Sequence, residues 1–252
     1  MKWFYPEDDS EPTITAREQI KSAHRESDIR LPKTAIVFFM GRCVEYLSEK
    51  YGAEEYPELF PRFLNRCPIR KINEFGLCFL NGGCGAPQAC DTVETLAALG
   101  VENVIAVGMF GAFDPRVKPG DVITPEKAFS EEGTSLHYYE SIDHAVPDGD
   151  LLKLCSSVLK KDTYPIVSTD AVYRQTFFKE RLWREKGAVG VDMETSAVFS
   201  VSGYLGMKAA AILMASDLHP QDPGGPKWEW KMTREMRFDL AEKSIAVAKE
   251  LA

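Results

Sequence analysis

Along this chain, short runs of consecutive apolar residues alternate with stretches whose apolar positions recur every three or four residues, which predicts strands separated by helices. The runs 34–39, 104–107, 166–169, 189–192 and 208–214 read as strands of the buried kind. Two more, 69–72 and 77–80, flank Glu74, Phe75 and Gly76 and are most simply a hairpin. Helical spacing is read over 41–51, 151–159 and 195–205. Another helix has Pro87 near its start, Ala89, Val93, Leu96 and Ala97 facing the core, and Gly100 as its stop. Phe238, Ala241, Ile245 and Ala248 mark the inward stripe of the last helix. Residues 1–33 are polar, with little periodicity, and read as an extended arm lying on the core or on a neighbouring subunit. Residues 56–66 are irregular, broken by Pro57 and Pro61. Alternation without internal repeat predicts one three-layer α/β/α domain over 34–252, with a central mixed sheet, after the arm 1–33.

The chemistry concentrates where strand 189–192 ends in Asp192 and Glu194 and strand 208–214 runs on into Ser216 and Asp217. Read as a parallel β-α-β unit, this segment puts both strand ends on one edge of the sheet, where open α/β folds collect ligands. Glu194 and Asp217 are then expected to share a pocket. Each acid also has a plainer explanation: Asp192 and Glu194 favour the positive end of the following helix, and Asp217 begins a turn before Pro220.

Composition narrows the field. The 252 residues, 44% hydrophobic and 27% charged, suit one large soluble domain. A net charge of -8 argues against a general nucleic-acid or anionic-membrane surface but allows a small anion in a local pocket. Six cysteines without a Cys-x-x-Cys pair, and four histidines not at zinc-ligand spacing, point to no metal and to free thiols in a reducing cytoplasm. The first residues carry no apolar signal core, and no run is long enough to span a bilayer.

The motif Val-Asp-Met-Glu-Thr at 191–195, followed by Ala-Ser-Asp at 215–217, resembles the nucleoside phosphorylase and nucleosidase superfamily, which includes purine nucleoside and uridine phosphorylases. The resemblance runs from about Ala35 to the last helix. It takes in the glycine-rich turn at 81–89, the strand and loop at 107–112 with the following 118–123, and the segment 132–138. It implies cleavage of a nucleoside N-glycosidic bond, with purine preferred because Asp217 is present. Most simply this is phosphorolysis to free base and pentose 1-phosphate, with no cofactor beyond phosphate as co-substrate. It also implies a homo-oligomer, a dimer or hexamer, with the polar arm or the Phe60 to Phe63 region as candidate contacts.

By the same resemblance Asp217 protonates or hydrogen-bonds the base, a task that suits a carboxyl whose pKa rises when a bound purine desolvates it. Glu194 accepts the ribose diol and Met193 packs on the sugar. Phe110, Gly111, Val191 and Ser216 complete the base pocket. Val172 stands where relatives present a stacking aromatic; Tyr173 either replaces that surface or is a core residue at a strand end. His137 and Tyr138 line the pocket or a surface, and His219 either orients Asp217 or belongs to a turn. The segment 221–226, with Trp228 and Trp230 beyond it, is a lid or a rigid connection, and Glu131 and Glu132 are expected to be solvated.

The phosphate side departs from the family pattern. Of the usual ligands only Arg42 is kept, Ala106 and Met109 stand where an arginine and a hydroxyl residue are expected, and Phe38, Phe39 and Met40 fill the first strand end. Three readings follow: phosphate held by Arg42, the loop amides near Gly83 to Gly85 and Arg174; water as nucleophile; or a nucleoside-binding protein without catalysis.

Overall fold

The computed structural model describes residues 3–23, 30–56 and 68–251. The spine of its mixed sheet is β5 (Asn103–Ala112). The first half of β5 lies between β1 (Thr34–Phe38) and β10 (Lys208–Leu218), parallel to both. Beyond Val107 the neighbour β1 ends, and β9 (Gly190–Asp192) takes its place, antiparallel, at Gly111 and Ala112. From β10 the sheet continues through β6 (Val122–Glu131) and β8 (Thr163–Thr169) to β9 and so back to β5, closing a ring of five strands. An open wing extends from β1 through β4 (Leu77–Asn81) and β3 (Arg70–Ile72) to β2 (Glu54–Glu55), and a short β7 (His144–Ala145) borders β6. The expected hairpin is present: β3 and β4 pair antiparallel around a 3-10 turn at Asn73–Phe75.

Side chains alternate across each strand, so the apolar runs feed two cores. Ala35, Val37, Val104, Ala106, Ala211 and Leu213 face one side, with α1 (Ala16–Ala23), α3 (Ala86–Ala98) and α6 (Thr195–Tyr204) packed over it. Ile36, Phe38, Ile105, Val107, Ile212 and Met214 face the other, under α2 (Cys43–Tyr51), α4 (Gly149–Leu159) and α7 (Arg234–Lys249). Helix α5 (Phe177–Glu185) turns Trp183 onto Phe113 in a small third cluster beside β9.

Two expectations need correction. Strands β9 and β10 do not form a parallel β-α-β pair, because β10 runs parallel to β5 and β9 antiparallel to it. What brings their ends together is the length of β5, which pairs with both near Gly111. The N-terminal arm is also not simply extended. Helix α1 buries Ile20 in the core beside α3, and Arg17 donates to the Ala98 carbonyl at 3.0 Å. Phe60 and Phe63, suggested as contacts, lie outside the described residues.

Candidate active site

A cavity of about 730 Å3 opens where β5, β9 and β10 meet. Asp217, Glu194, Met193, Phe110, Gly111, Val172, Tyr173, Val191 and Ser216, all singled out in the sequence, line it. A β-bulge explains how two consecutive residues of β10 reach it: Ala215 pairs with Phe110 and Asp217 with Gly111, leaving Ser216 as the extra residue. Bulges re-aim side chains in this way and recur beside binding sites.

Asp217 is 3% exposed and fully engaged. Ser216 Oγ donates to its Oδ1, Trp228 Nε1 donates to its Oδ2 at 2.7 Å, and His219 Nε2 lies 3.3 Å from that second oxygen. Burial by itself would raise the pKa of Asp217, but the bonds from His219, Ser216 and Trp228 together hold it below the ordinary carboxylate value. On its far side His219 Nδ1 meets Glu180 Oε1 of α5 at 2.7 Å. Burial disfavours the imidazolium, yet the two carboxylates outweigh it and push the His219 pKa up to about 9. His219 therefore orients Asp217 as a cation and is not merely part of a turn. Asp217 at rest is an ionised acceptor, not a stored acid.

Glu194 and Asp192 divide two tasks. Asp192 accepts the Thr195 amide at 3.0 Å, which caps α6, and the Ser168 hydroxyl at 2.5 Å, which ties β9 to β8. Glu194 stands at the cap position without capping the helix through its side chain, accepting instead the Gly85 amide at 2.7 Å. Burial, and then the neighbouring Asp192 charge, push the Glu194 pKa up to about 8; burial raises Asp192 as well, against the hydroxyl bonds that favour its charged form.

Arg42 and Gly83 line a second cavity of about 540 Å3, which shares Phe39, Cys84 and Met109 with the first. The wall between the two is therefore largely apolar. The glycine-rich loop does not present free amides to it: Gly83 donates to Asn81 Oδ1 at 2.9 Å, Cys84 to Gln88 Oε1 at 3.0 Å, and Gly85 to Glu194. Gly83 has φ of 91°, and a Cβ there would lie 2.2 Å from Gln88 Oε1, so the turn requires glycine for its own geometry. Arg42 is exposed and left-handed, with φ of 76°. Ala106 is buried in the sheet between Val37 and Ala211, and Arg174 lines neither of these cavities.

Other expectations resolve individually. Tyr173 is 97% exposed at the cavity mouth, which excludes the core reading. His137 lies outside the cavity and stacks on Trp3 of the arm at 5.2 Å, while Tyr138 bonds to Cys90 and Glu94. Glu132 is not solvated: it is buried and accepts from Ser130, Ser135 and Ser196, because the segment after β6 tucks under α6. Glu131 stays exposed, as expected, while accepting the Trp183 indole at 2.6 Å and pairing with Lys179. The segment around Trp228 is tied down, with Lys231 donating its amide to the Ser216 carbonyl at 3.0 Å. Sequence reasoning missed Glu180 and the bond from Trp228; the nearest signal was the Trp-x-Trp at 228–230, and nothing marked Glu180.

A family model described as the phosphorylase superfamily matches residues 33–251. The chain belongs to that superfamily. Among relatives of this phosphorylase-superfamily protein, guanosine phosphorylase of Halorubrum lacusprofundi is 34% identical over 142 residues, covering 54% of this chain and 58% of that protein. The chain thus spans little more than half the length of that relative. A uridine phosphorylase structure from Vibrio fischeri superposes with a TM-score of 0.69 at 25% identity, covering 88% of this chain and 91% of the other. An AMP nucleosidase from Bacteroides thetaiotaomicron shares the fold, with a TM-score of 0.69 at 24% identity over 80% of this chain and 90% of that one.

Proposed function

We propose that this protein cleaves the N-glycosidic bond of a nucleoside, purine in preference to uridine, and that inorganic phosphate is the attacking group. The observation that carries the reading is the convergence of Asp217 and Glu194 on one cavity from different strand ends. As the bond breaks, positive charge grows on the sugar and negative charge on the base, so the base end needs a proton or strong hydrogen bond and the sugar end needs its hydroxyls fixed. Asp217 serves the base and Glu194 the ribose diol, with Met193 against the sugar. Phe110, Gly111, Val191 and Ser216 frame the base, and Val172 and Tyr173 border its entrance. Products are free base and pentose 1-phosphate, and no cofactor is required. The assembly expected with this reading is a dimer or hexamer of identical chains.

Phosphate has weak support on its side of the site. With the loop amides engaged, an anion leans on Arg42, so phosphate acts in the millimolar range or above, corresponding to roughly 4 kcal/mol of binding. The apolar wall of Phe39 and Met109 favours a second reading, in which water is the nucleophile. A panel of purine and pyrimidine ribonucleosides, incubated with and without phosphate, separates them. The expected result is phosphate-stimulated base release with pentose 1-phosphate, and loss of that stimulation in Arg42→Ala. Phosphate-independent release of free ribose would assign hydrolysis, and a nucleoside bound but never cleaved would assign a binding protein.

A further inference from the structure

The Asp217 carboxyl cannot by itself supply the proton that a departing base needs, because its oxygens receive bonds from Ser216, Trp228 and His219 and it rests ionised. The nearest stored proton is on His219. Its imidazole is held at both ring nitrogens, by Glu180 at 2.7 Å and Asp217 at 3.3 Å, and its side chain keeps 16% exposure to the cavity. A separate feature of the chain makes room for it: a Cβ on Gly111 would lie 2.5 Å from His219 Nε2 and 3.4 Å from Asp217 Oδ2. Glycine at 111 thus permits the contact between imidazole and carboxylate at the level of the base.

We propose that Glu180, His219 and Asp217 form a proton relay, in which His219, seated between two carboxylates in the space left by Gly111, delivers through Asp217 the proton taken up by the leaving base. The inference rests on the glycosidic-cleavage reading and names the proton source within it. The bond from C1′ to the base nitrogen breaks with its electron pair going to the base, while the nucleophile forms its bond to C1′. His219 Nε2 gives its proton to Asp217 Oδ2, and the Asp217 carboxyl gives a proton to a ring nitrogen of the base. Asp217 ends as carboxylate and His219 as neutral imidazole, its Nδ1 proton still bonded to Glu180; solvent then restores the imidazolium. Asp217 is the catalytic residue, and His219 and Glu180 are positioning residues acting through it. Among the described residues, the charged groups facing the imidazole are Asp217 from β10 and Glu180 from α5; β5 contributes Gly111, which has no side chain.

The working form carries the proton on His219, so base release should fall as pH rises through the His219 pKa, near 9. Glu180→Gln keeps the size of the side chain and removes one of the two negative charges. It should move the alkaline limb of the rate profile to lower pH, so that the loss relative to wild type grows as pH rises from about 6 to about 8. His219→Gln should remove the limb and leave a slow rate independent of pH across that range. In parallel, the imidazole titration is followed by NMR in wild type and Glu180→Gln. An alkaline limb that neither substitution moves overturns the relay while leaving the cleavage reading standing. If wild type cleaves no nucleoside, that reading falls, and the titration then decides the arrangement alone: a midpoint above pH 8 that drops in Glu180→Gln supports it, and a midpoint near 6.5 in both proteins overturns it.

Discussion

Asp192 and Glu194 are two positions apart, and one helix end separates their chemistry. Because Asp192 already satisfies the Thr195 amide, Glu194 is released from capping and held instead to Gly85, facing the cavity. Burial, and then the Asp192 charge, raise the Glu194 pKa to about 8, which favours a proton on Glu194 near neutral pH. A ribose diol donating two hydrogen bonds to Glu194 favours its ionised form, so ribonucleoside binding below about pH 8 should release a proton. Calorimetry in buffers of different ionisation enthalpy measures that release; an apparent enthalpy independent of buffer would contradict it. Glu194→Ala should weaken ribonucleoside binding by more than that of the 2′-deoxy analogue, which lacks one of the bonds. Equal losses would show that Glu194 does not read the diol. Asp217 and Glu194 were legible because the motifs at 191–195 and 215–217 together resemble those of the superfamily, whereas either acid alone has a plainer explanation. Glu180 was not, because it sits in a helix whose exposed Phe177, Phe178 and Leu182 obscure any inward stripe, and its partner is 39 residues away.

At the scale of elements, the apolar runs located the core strands other than β6, but neither their ends nor their order. Strand β10 was expected to stop at Met214 and continues to Leu218, because pairing with β5 persists through the bulge. The antiparallel course of β9 depends on contacts between segments about 80 residues apart in sequence, Gly111 with Val191, which no local period encodes. The connection after β6 is similar: Glu132 was expected to be solvated, and α6 covers it. Glu132 accepts bonds there from Ser130, Ser135 and Ser196, and Ser135 in turn meets Ser200 of α6 at 2.7 Å. Glu132→Ala should lower unfolding free energy by at least about 1–3 kcal/mol, the cost of leaving buried hydroxyls unpaired, as read by chemical denaturation. A change under about 0.5 kcal/mol would mean that water or rearranged serines replace the carboxylate.

For the whole molecule, the three-layer arrangement follows from strands apolar on both faces, which require helices on both sides. Among the described residues no helix is long and apolar enough to cross a membrane. The arm that the sequence left unpatterned is fastened to the core by Ile20 and by the stacking of Trp3 on His137, contacts between single residues rather than a periodic stripe. Closure of β5, β9, β8, β6 and β10 into a ring brings the bulge at Ser216 and the end of β9 together at Gly111, and so Asp217 and Glu194 onto one cavity. The central claim is that this pairing breaks a nucleoside's glycosidic bond. Its most direct test is the rate of free-base release from a purine ribonucleoside, in saturating phosphate, by wild type and Asp217→Asn. The account predicts release by wild type and a rate about two to four powers of ten lower in the variant, with folding unchanged. Equal rates, or no release by wild type, would contradict it.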